Sequence, residues 1–390
     1  MLMDNLARKL SQNTAKNTKT DQIVELKAVT WNKDSHGLFD YENSYYDMKK
    51  FVINDNTTIL RANNEIVTAG VQEAIAKIED LKAEPIMYIS KSPKTEGMYY
   101  IDVEMMHQAT KRPLYLIIRS LKCKDGRTQR GYSLQPGNIV KLGRVEFKII
   151  EVQTGNDPST VKVIENINLF PKDTLFDANC QKNNMNNPDQ ICKYCLLDRV
   201  SDDDLDNLML YPCKCLGSSA GVHFSCLRSW VQYKIIAKHN HNVANYHWKK
   251  LECEICLEPL PRRIRYGPNI HELITITRPI SPYVIFEKMD GDKKSSSFVL
   301  IAPEPGQLVT LGRGHQCDFR ISDISVSRIH AHLKIENGQL LIYDNDSKFG
   351  TLVLLNDNYP IKDEKAAVQI GRTVFTFVLK NASVEHAQVE

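Results

Sequence analysis

The sequence predicts a multidomain, mainly β protein with a cysteine-rich block near its middle. Three observations carry that prediction. Short apolar runs punctuated by turn residues fill 86–152 and return from Tyr283 to Leu379, the pattern of antiparallel sandwiches. Seven of the ten cysteines fall in close pairs between residues 192 and 256, with one histidine among them. The length of 390 residues suits two or three domains, each with its own core.

Taken in order, residues 1–22 form a predicted disordered tail holding Arg8, Lys9, Lys16 and Lys19. An N-terminal α+β part follows over 23–152. Within it Val67, Val71, Ala74, Ile75, Ile78 and Leu81 recur at helical spacing before Pro85, which predicts a helix over 66–83. Residues 153–190, rich in Asn, Asp, Pro and Lys, read as a linker. The cysteine block occupies 191–265 and a second sandwich 280–382, with cores expected to be separate. One echo links the flanks: GNIVKLGRVEFKII (137–150) resembles AAVQIGRTVFTFVL (366–379), each an apolar hairpin turning on Gly-Arg. Two related sandwich pieces then flank the cysteine block, with chance similarity as the rival reading.

Net charge is +3 and the basic tail is the only clear excess, so no nucleic acid partner is expected. No run of about 18 apolar residues occurs, so no bilayer span is expected. The opening MLMDNLARKLSQ lacks the apolar core of a secretory signal. These features place the chain in the cytoplasm, or the nucleus, where stable disulfides are rare.

The block supplies its own explanation. Cys192 and Cys195 form C-x-x-C, Cys213 and Cys215 C-x-C, His223 and Cys226 H-x-x-C, and Cys253 and Cys256 a second C-x-x-C. Four close pairs of soft ligands are what two tetrahedral zinc ions require. A single C-x-x-C could be a redox motif, but a paired set with an interposed histidine points to zinc. Saturated sites leave no open coordination position and commit every thiolate in the block, which argues against hydrolytic zinc or a nucleophilic cysteine.

The ligand order, the stretch PCKCLGSSAGVHFSCLRSWV and the stretch WKKLECEICLEPL resemble a RING-CH (RINGv) finger. The PHD finger shares the order but spaces its second pair more widely, and no aromatic cage for chromatin reading is identifiable. The resemblance implies that Cys192, Cys195, His223 and Cys226 hold one zinc and Cys213, Cys215, Cys253 and Cys256 the other. It places a helix begun by LRSWVQYKIIAK after Cys226, packing Trp230 near the first site, and leaves His239, His241 and His247 as surface residues. RING-CH proteins are typically ubiquitin ligases, which hold a ubiquitin-charged conjugating enzyme and catalyse by positioning. By motif position the docking groove uses Tyr194 and Trp230, with Leu257 and Pro259 on its far side. Two positions depart from the family: Tyr194 stands where a small aliphatic residue is usual, and Leu257 where many active fingers carry a cation. Arg262 and Arg263 lie close behind without matching that position. The alternative is a non-enzymatic, zinc-stapled scaffold within a larger assembly.

The segment LGRGHQCDFRISDISVSRIHAHLKIENGQLLIYDNDSKFGTLV resembles a forkhead-associated (FHA) domain through Gly312-Arg313, Ser327-x-x-His330 and Gly350-Thr351. The N-terminal part is then a candidate degenerate FHA-like sandwich, expected not to bind phosphate. FHA domains bind phosphothreonine peptides, so the implied partners are a conjugating enzyme and a phosphothreonine-containing protein. The implied phosphopeptide residues are Arg313, Ser327, Arg328, Gly350 and Thr351, with His330 bracing the loops. Phe349 replaces the asparagine that usually bonds the peptide backbone. Cys123, Cys180 and Cys317 have no partner spacing and read as core or linker thiols.

Overall fold

The structure is a computed structural model. It describes residues 22–31, 38–42, 45–63, 65–92, 97–109, 112–118, 131–155, 161–163, 175–180, 190–198, 204–280, 282–289, 295–362 and 365–381. The predicted tail, up to residue 21, most of the 153–190 linker, and Cys123 lie outside the described residues.

Alternating burial defines the strands, because successive side chains point to opposite faces. In Gln22–Trp31, Val24, Leu26 and Ala28 are buried while Glu25 and Lys27 are not. The protein is mainly β, as the periodicity predicts. The predicted helix over 66–83 is instead a strand, Glu65–Ala69, followed by a shorter helix, Val71–Leu81. The β-branched Ile66, Val67 and Thr68 pair with Thr57–Ala62. Gly70 then takes an extended conformation and caps the helix.

The expected division into an N-terminal part and a separate C-terminal sandwich does not follow the hydrogen bonding. One thirteen-stranded sheet runs through both. At its centre Tyr115–Ile117 pairs antiparallel with Thr351–Leu354. From Thr351–Leu354 the order continues outward through the hairpin Ile139–Leu142/Val145–Gln153 to Tyr283–Met289 and Ser295–Ile301. From Tyr115–Ile117 it continues through the hairpin Ala366–Ile370/Thr373–Asn381 to Gln22–Trp31 and Tyr46–Ile53.

The two halves thus follow one plan, and each is completed by the other's last hairpin. The second layers repeat the exchange. Tyr132–Leu134 edges the sheet containing Val309–Gly312, Ala331–Glu336 and Gln339–Asp344, whereas Tyr359–Ile361 edges the sheet containing Thr57–Ala62, Glu65–Ala69 and Glu84–Lys91. The echoing segments 137–150 and 366–379 are the exchanged hairpins. Both turn on a left-handed glycine, Gly143 at φ 59° and Gly371 at φ 55°, a conformation that favours glycine. A shared apolar cluster, including Leu26, Ile86, Leu116, Phe147, Ile342 and Phe375, fills both sandwiches.

The cysteine block is joined to this framework rather than separate from it. Its helix spans Phe224–Tyr233, shorter than the sequence predicts, because Ile236–Asn240 and Val243–Lys249 form a β-hairpin. Val243–Lys249 pairs along its whole length with Ser295–Ile301 and so extends the thirteen-stranded sheet. Trp248, 2% exposed, sets its ring edge-on to Phe298 at 5.1 Å. Arg262 lies over both rings and pairs with Glu287 at 2.6 Å. The block's core cluster accordingly includes Tyr283, Ile285 and Leu300 of the large sheet. A second tie is the buried Glu151, which accepts from Arg278 Nε at 2.8 Å, Arg278 Nη2 at 2.9 Å and the Tyr283 hydroxyl.

Candidate zinc centres and phosphate cleft

The two C-x-x-C segments fold into the same turn. Leu196 N donates to Cys192 O at 2.8 Å, and Leu257 N to Cys253 O at 2.9 Å. Each turn closes with a return bond, Cys192 N to Leu197 O and Cys253 N to Glu258 O, both 2.9 Å. Leu196 and Leu257 adopt positive φ, 62° and 59°. Such a turn points both cysteine sulfurs to one side, which the short spacing requires.

The eight ligands gather into the two sets the resemblance implies: Cys192, Cys195, His223 and Cys226, and Cys213, Cys215, Cys253 and Cys256, with ligand atoms within 4.8 Å of one another in each. At Zn–S of about 2.3 Å, tetrahedral ligand atoms sit about 3.8 Å apart. Cys215 and Cys253 Sγ are 3.6 Å apart, and His223 Nδ1 lies 3.3 Å from Cys195 Sγ and 3.9 Å from Cys226 Sγ. His223 Nε2 donates to Asp198 O at 3.2 Å, which turns Nδ1 toward the thiols as a ligand and fixes the tautomer. Lys193 Nζ lies 3.5 Å from Cys253 Sγ and 3.7 Å from Cys213 Sγ, where it offsets the excess negative charge of an all-thiolate zinc site. The donor set and spacing fit two zinc ions. His239, His241 and His247 are exposed in or beside the hairpin.

The expected docking residues fall on one side of the helix and on the second C-x-x-C turn. Tyr194 and Trp230 stack, with centroids 6.0 Å apart and planes 18° from parallel. Lys234 lies over the Trp230 ring at 5.0 Å and pairs with Glu254 at 2.9 Å, tying the helix to the second turn. The Lys234 ammonium, aided by Trp230, holds the Glu254 carboxyl below its usual range. Leu257 is 63% exposed and Pro259 is exposed. Sequence reasoning missed Ile255 and Leu196, exposed at 62% and 68%. Ile255 lies between the ligands Cys253 and Cys256, and Leu196 directly follows the ligand Cys195; adjacency to ligands that hold the backbone inward is the signal that would have found them. Arg262, considered for the missing cation, is committed to the joint with the sheet.

At the far sandwich the Gly-Arg motif has a steric cause. A Cβ on Gly312 would meet Arg328 O at 2.3 Å, so only glycine lets the two loops close. They are latched by Arg313 N to Ser327 O and Gly314 N to Arg328 O, both 2.9 Å. Arg313 Nε donates to Val326 O at 3.1 Å, which leaves its outer nitrogens to face a cleft of about 500 Å³. Arg313, Arg320 and Arg328 line that cleft with Asp323, and all three arginines are exposed. Among the described residues none of the three is ion-paired, whereas Asp323 is paired with Arg144 at 3.4 Å.

His330, 0% exposed, accepts from Ser327 N at Nδ1 (3.0 Å) and donates from Nε2 to Gly350 O (3.1 Å). Burial lowers its pKa, against the pull of Asp344, so it is a neutral brace between the two loops. Ser327 Oγ accepts from Lys348 N at 3.1 Å, and its hydroxyl proton can be given to an anion.

Three expected contact residues, Ser327, Gly350 and Thr351, are not among those that line the cleft. Thr351 is 0% exposed and its hydroxyl donates to Asp344 Oδ1 at 2.7 Å. Gly350, at φ 74°, is buried with Tyr41 beside it, where a Cβ would meet the ring at 2.9 Å. Both shape the loop from behind. Arg320 was missed, although buried Phe319 and Ile321 on either side put it outward by strand alternation. The hairpin turn at Gly143-Arg144 supports this cleft: Arg144 N donates to Ser325 Oγ at 2.9 Å. Cys317 is buried, its thiol on Arg328 O at 3.0 Å, and Cys180 is exposed.

Comparison with known proteins agrees with both sites. The RING-variant domain family matches residues 192–256 and the FHA domain family residues 309–374. The E3 ubiquitin-protein ligase MARCHF7 of Rattus norvegicus is 34% identical over 83 residues, 21% of this chain and 10% of that protein. The ERAD-associated E3 ubiquitin-protein ligase DOA10 of Saccharomyces cerevisiae is 34% identical over 85 residues, 21% of this chain and 6% of that protein. The chain thus spans a tenth or less of the length of these relatives. No helix among the described residues is long and apolar enough to cross a membrane. Residues 192–256 are a RING-variant finger fitted for two zinc ions, and residues 309–374 are an FHA domain whose sandwich is completed by strands from the N-terminal half.

Proposed function

We propose that this chain is a RING-CH-type ubiquitin ligase acting in the cytoplasm or nucleus, with its FHA cleft recruiting phosphothreonine-containing proteins. The observation that carries the ligase reading is the pair of ligand clusters beside the part-buried Tyr194/Trp230 stack and the turn bearing the exposed Ile255 and Leu257. Zinc supplies structure here, holding two loops at a fixed separation. The residues on those loops do the work: the aromatic stack and outward leucines offer apolar contact to a conjugating enzyme, which brings the ubiquitin thioester and carries the covalent chemistry. Leu257 provides no cation toward ubiquitin, so positioning rests on the apolar face.

The phosphate reading is supported by three arginines around one cleft that have no ion-pair partner among the described residues, and by the hydroxyl of Ser327, next to Arg328 in the chain. A phosphate carries about −1.5 to −2 charges and takes charge-assisted bonds from guanidinium groups.

The test is ubiquitin transfer by the full, zinc-loaded chain with a panel of conjugating enzymes. Trp230→Ala should abolish transfer, to below about a tenth of wild type, with both zinc ions retained. Transfer by no enzyme of the panel would favour the scaffold reading. Transfer indifferent to Trp230 would place docking elsewhere.

A further inference from the structure

We propose that Tyr41, on a loop of the N-terminal sandwich, is a positioning residue for phosphopeptide recognition by the FHA domain. It holds the 348–350 loop so that the Ser327 hydroxyl stays free to donate to a phosphate. The proposal rests on the phosphate reading of that domain, and it adds a residue from outside the 309–374 match.

The loop over 38–42 is anchored at one end and reaches across at the other. Leu38 and Phe39 are buried, and Phe39 packs with Trp31 and Val374 of the large sheet. The Tyr41 ring follows, 4.9 Å from that of Phe39. Its hydroxyl donates to Gln369 Oε1 at 3.1 Å, on the strand Ala366–Ile370. Burial, and then the Asp344 carboxylate, raise the pKa of that hydroxyl, so it stays a donor. Tyr41 N donates to Lys348 O at 3.0 Å. A Cβ on Gly350 would meet the Tyr41 ring at 2.9 Å, so the ring closes directly on this glycine.

These contacts complete a circuit through the two recognition loops. Tyr41 N holds Lys348 O, and Lys348 N donates to Ser327 Oγ at 3.1 Å. Ser327 N in turn donates to His330 Nδ1 at 3.0 Å, and His330 Nε2 to Gly350 O at 3.1 Å. Gly350 returns the circuit to the Tyr41 ring. Because Lys348 N supplies a hydrogen to Ser327 Oγ, the serine proton points elsewhere and is available to an anion. A displaced 348–350 loop would leave that hydroxyl to rotate. Lys348 Nζ also lies 3.4 Å from Asp40 and 3.9 Å from Glu42. Such part-exposed pairs are worth little, so the ring and the main-chain bond carry the hold. No sequence motif marks the contact, because Tyr41 and Lys348 stand near opposite ends of the chain.

The experiment titrates the tightest phosphothreonine peptide from an oriented library, and its unphosphorylated form, into the full zinc-loaded chain. The variants are Tyr41→Ala, Tyr41→Phe, Ser327→Ala and the Tyr41→Ala/Ser327→Ala double. Tyr41→Ala should weaken the phosphopeptide about tenfold, the worth of one charge-assisted hydrogen bond, and leave the unphosphorylated form unchanged. Tyr41→Phe keeps the ring on Gly350 and should recover most of the affinity. In the Ser327→Ala background Tyr41→Ala should cost almost nothing more, since residues acting through one group are not additive. Tyr41→Leu serves in the same cycle if Tyr41→Ala is too unstable to titrate. A Tyr41→Ala loss that adds in full to that of Ser327→Ala overturns the proposal, because a general support of the fold would behave that way. Wild type that binds, and loses binding in Arg313→Ala but not in Tyr41→Ala, overturns this proposal alone. Wild type that binds no phosphopeptide overturns the phosphate reading and this proposal together.

Discussion

The finger and the paired sandwiches are ordered by different means. In the finger, eight side chains converge on two points within 4.8 Å, while Leu196, Leu197, Leu216, Ile255 and Leu257 remain more than 60% exposed. Metal holds it, which releases apolar residues for the surface. The sandwiches are held by a shared apolar cluster and by strands exchanged over more than two hundred residues of sequence. The finger can therefore present a sticky face, and the sandwiches offer a rigid frame on which loops differ. Where Val243–Lys249 joins Ser295–Ile301, the two kinds of order meet.

The largest expected effect breaks the metal-held part. Each structural zinc contributes about 10–16 kcal/mol of apparent binding free energy, which is folding free energy for its ligands. Cys213→Ser should reduce zinc below two ions per chain by elemental analysis and unfold the finger. Because the joint is a shared sheet, amides of Ser295–Ile301 should lose hydrogen-exchange protection as well. Those of Thr373–Asn381, at the other half of the sheet, should keep it. Protection retained throughout Ser295–Ile301 would show that the joint contributes little.

The next effect falls on the loops. Arg313→Ala should weaken a phosphothreonine peptide about ten- to hundredfold, the loss of a charge-assisted bond worth about 1.5–3 kcal/mol. It should scarcely change binding of the unphosphorylated peptide, as read by calorimetric titration. A smaller effect concerns His330. Its folded pKa is depressed by burial below the unfolded value of about 6.5. Its contribution is therefore complete above that pH and is lost as pH falls, by up to about 1.4 kcal/mol per unit. Denaturant midpoints of wild type and His330→Gln should converge between pH 7 and 5. The smallest is Phe349→Asn, which should tighten the phosphopeptide by about 0.5–1.5 kcal/mol through one neutral hydrogen bond. No gain would mean that Phe349, half-buried under Lys348, leaves a replacement no path to the peptide backbone.

The finger was legible in the sequence because its information is local. Ligands two or three residues apart announce a turn and a metal, and Cys192 to Cys256 fell into the two expected sets. The FHA loops were legible for the same reason through Gly312-Arg313 and Ser327 to His330. What the spacing could not reveal was depth: Thr351 carries a motif yet is buried on Asp344. The helix over 66–83 failed because Val67 fits both periods, and pairing with Thr57–Ala62 decided for strand. The hairpin exchange was hidden for a broader reason. Both hairpins look alike as sequence, so nothing in 137–150 or 366–379 says which first strand each will join. Only tertiary pairing settles that, with Phe147 against Phe319 at 5.5 Å in one sandwich and Phe377 beside Tyr359 at 6.4 Å in the other.

The central claim is that one chain reads a phosphate and directs ubiquitin from a fixed frame. The most direct test is reconstituted ubiquitination of a lysine-bearing protein carrying one FHA-selected threonine motif, phosphorylated or not, by wild type and Arg313→Ala. The account predicts modification of the phosphorylated form well above the unphosphorylated, and loss of that preference in Arg313→Ala with autoubiquitination retained. Equal modification of both forms by an active wild type would contradict it.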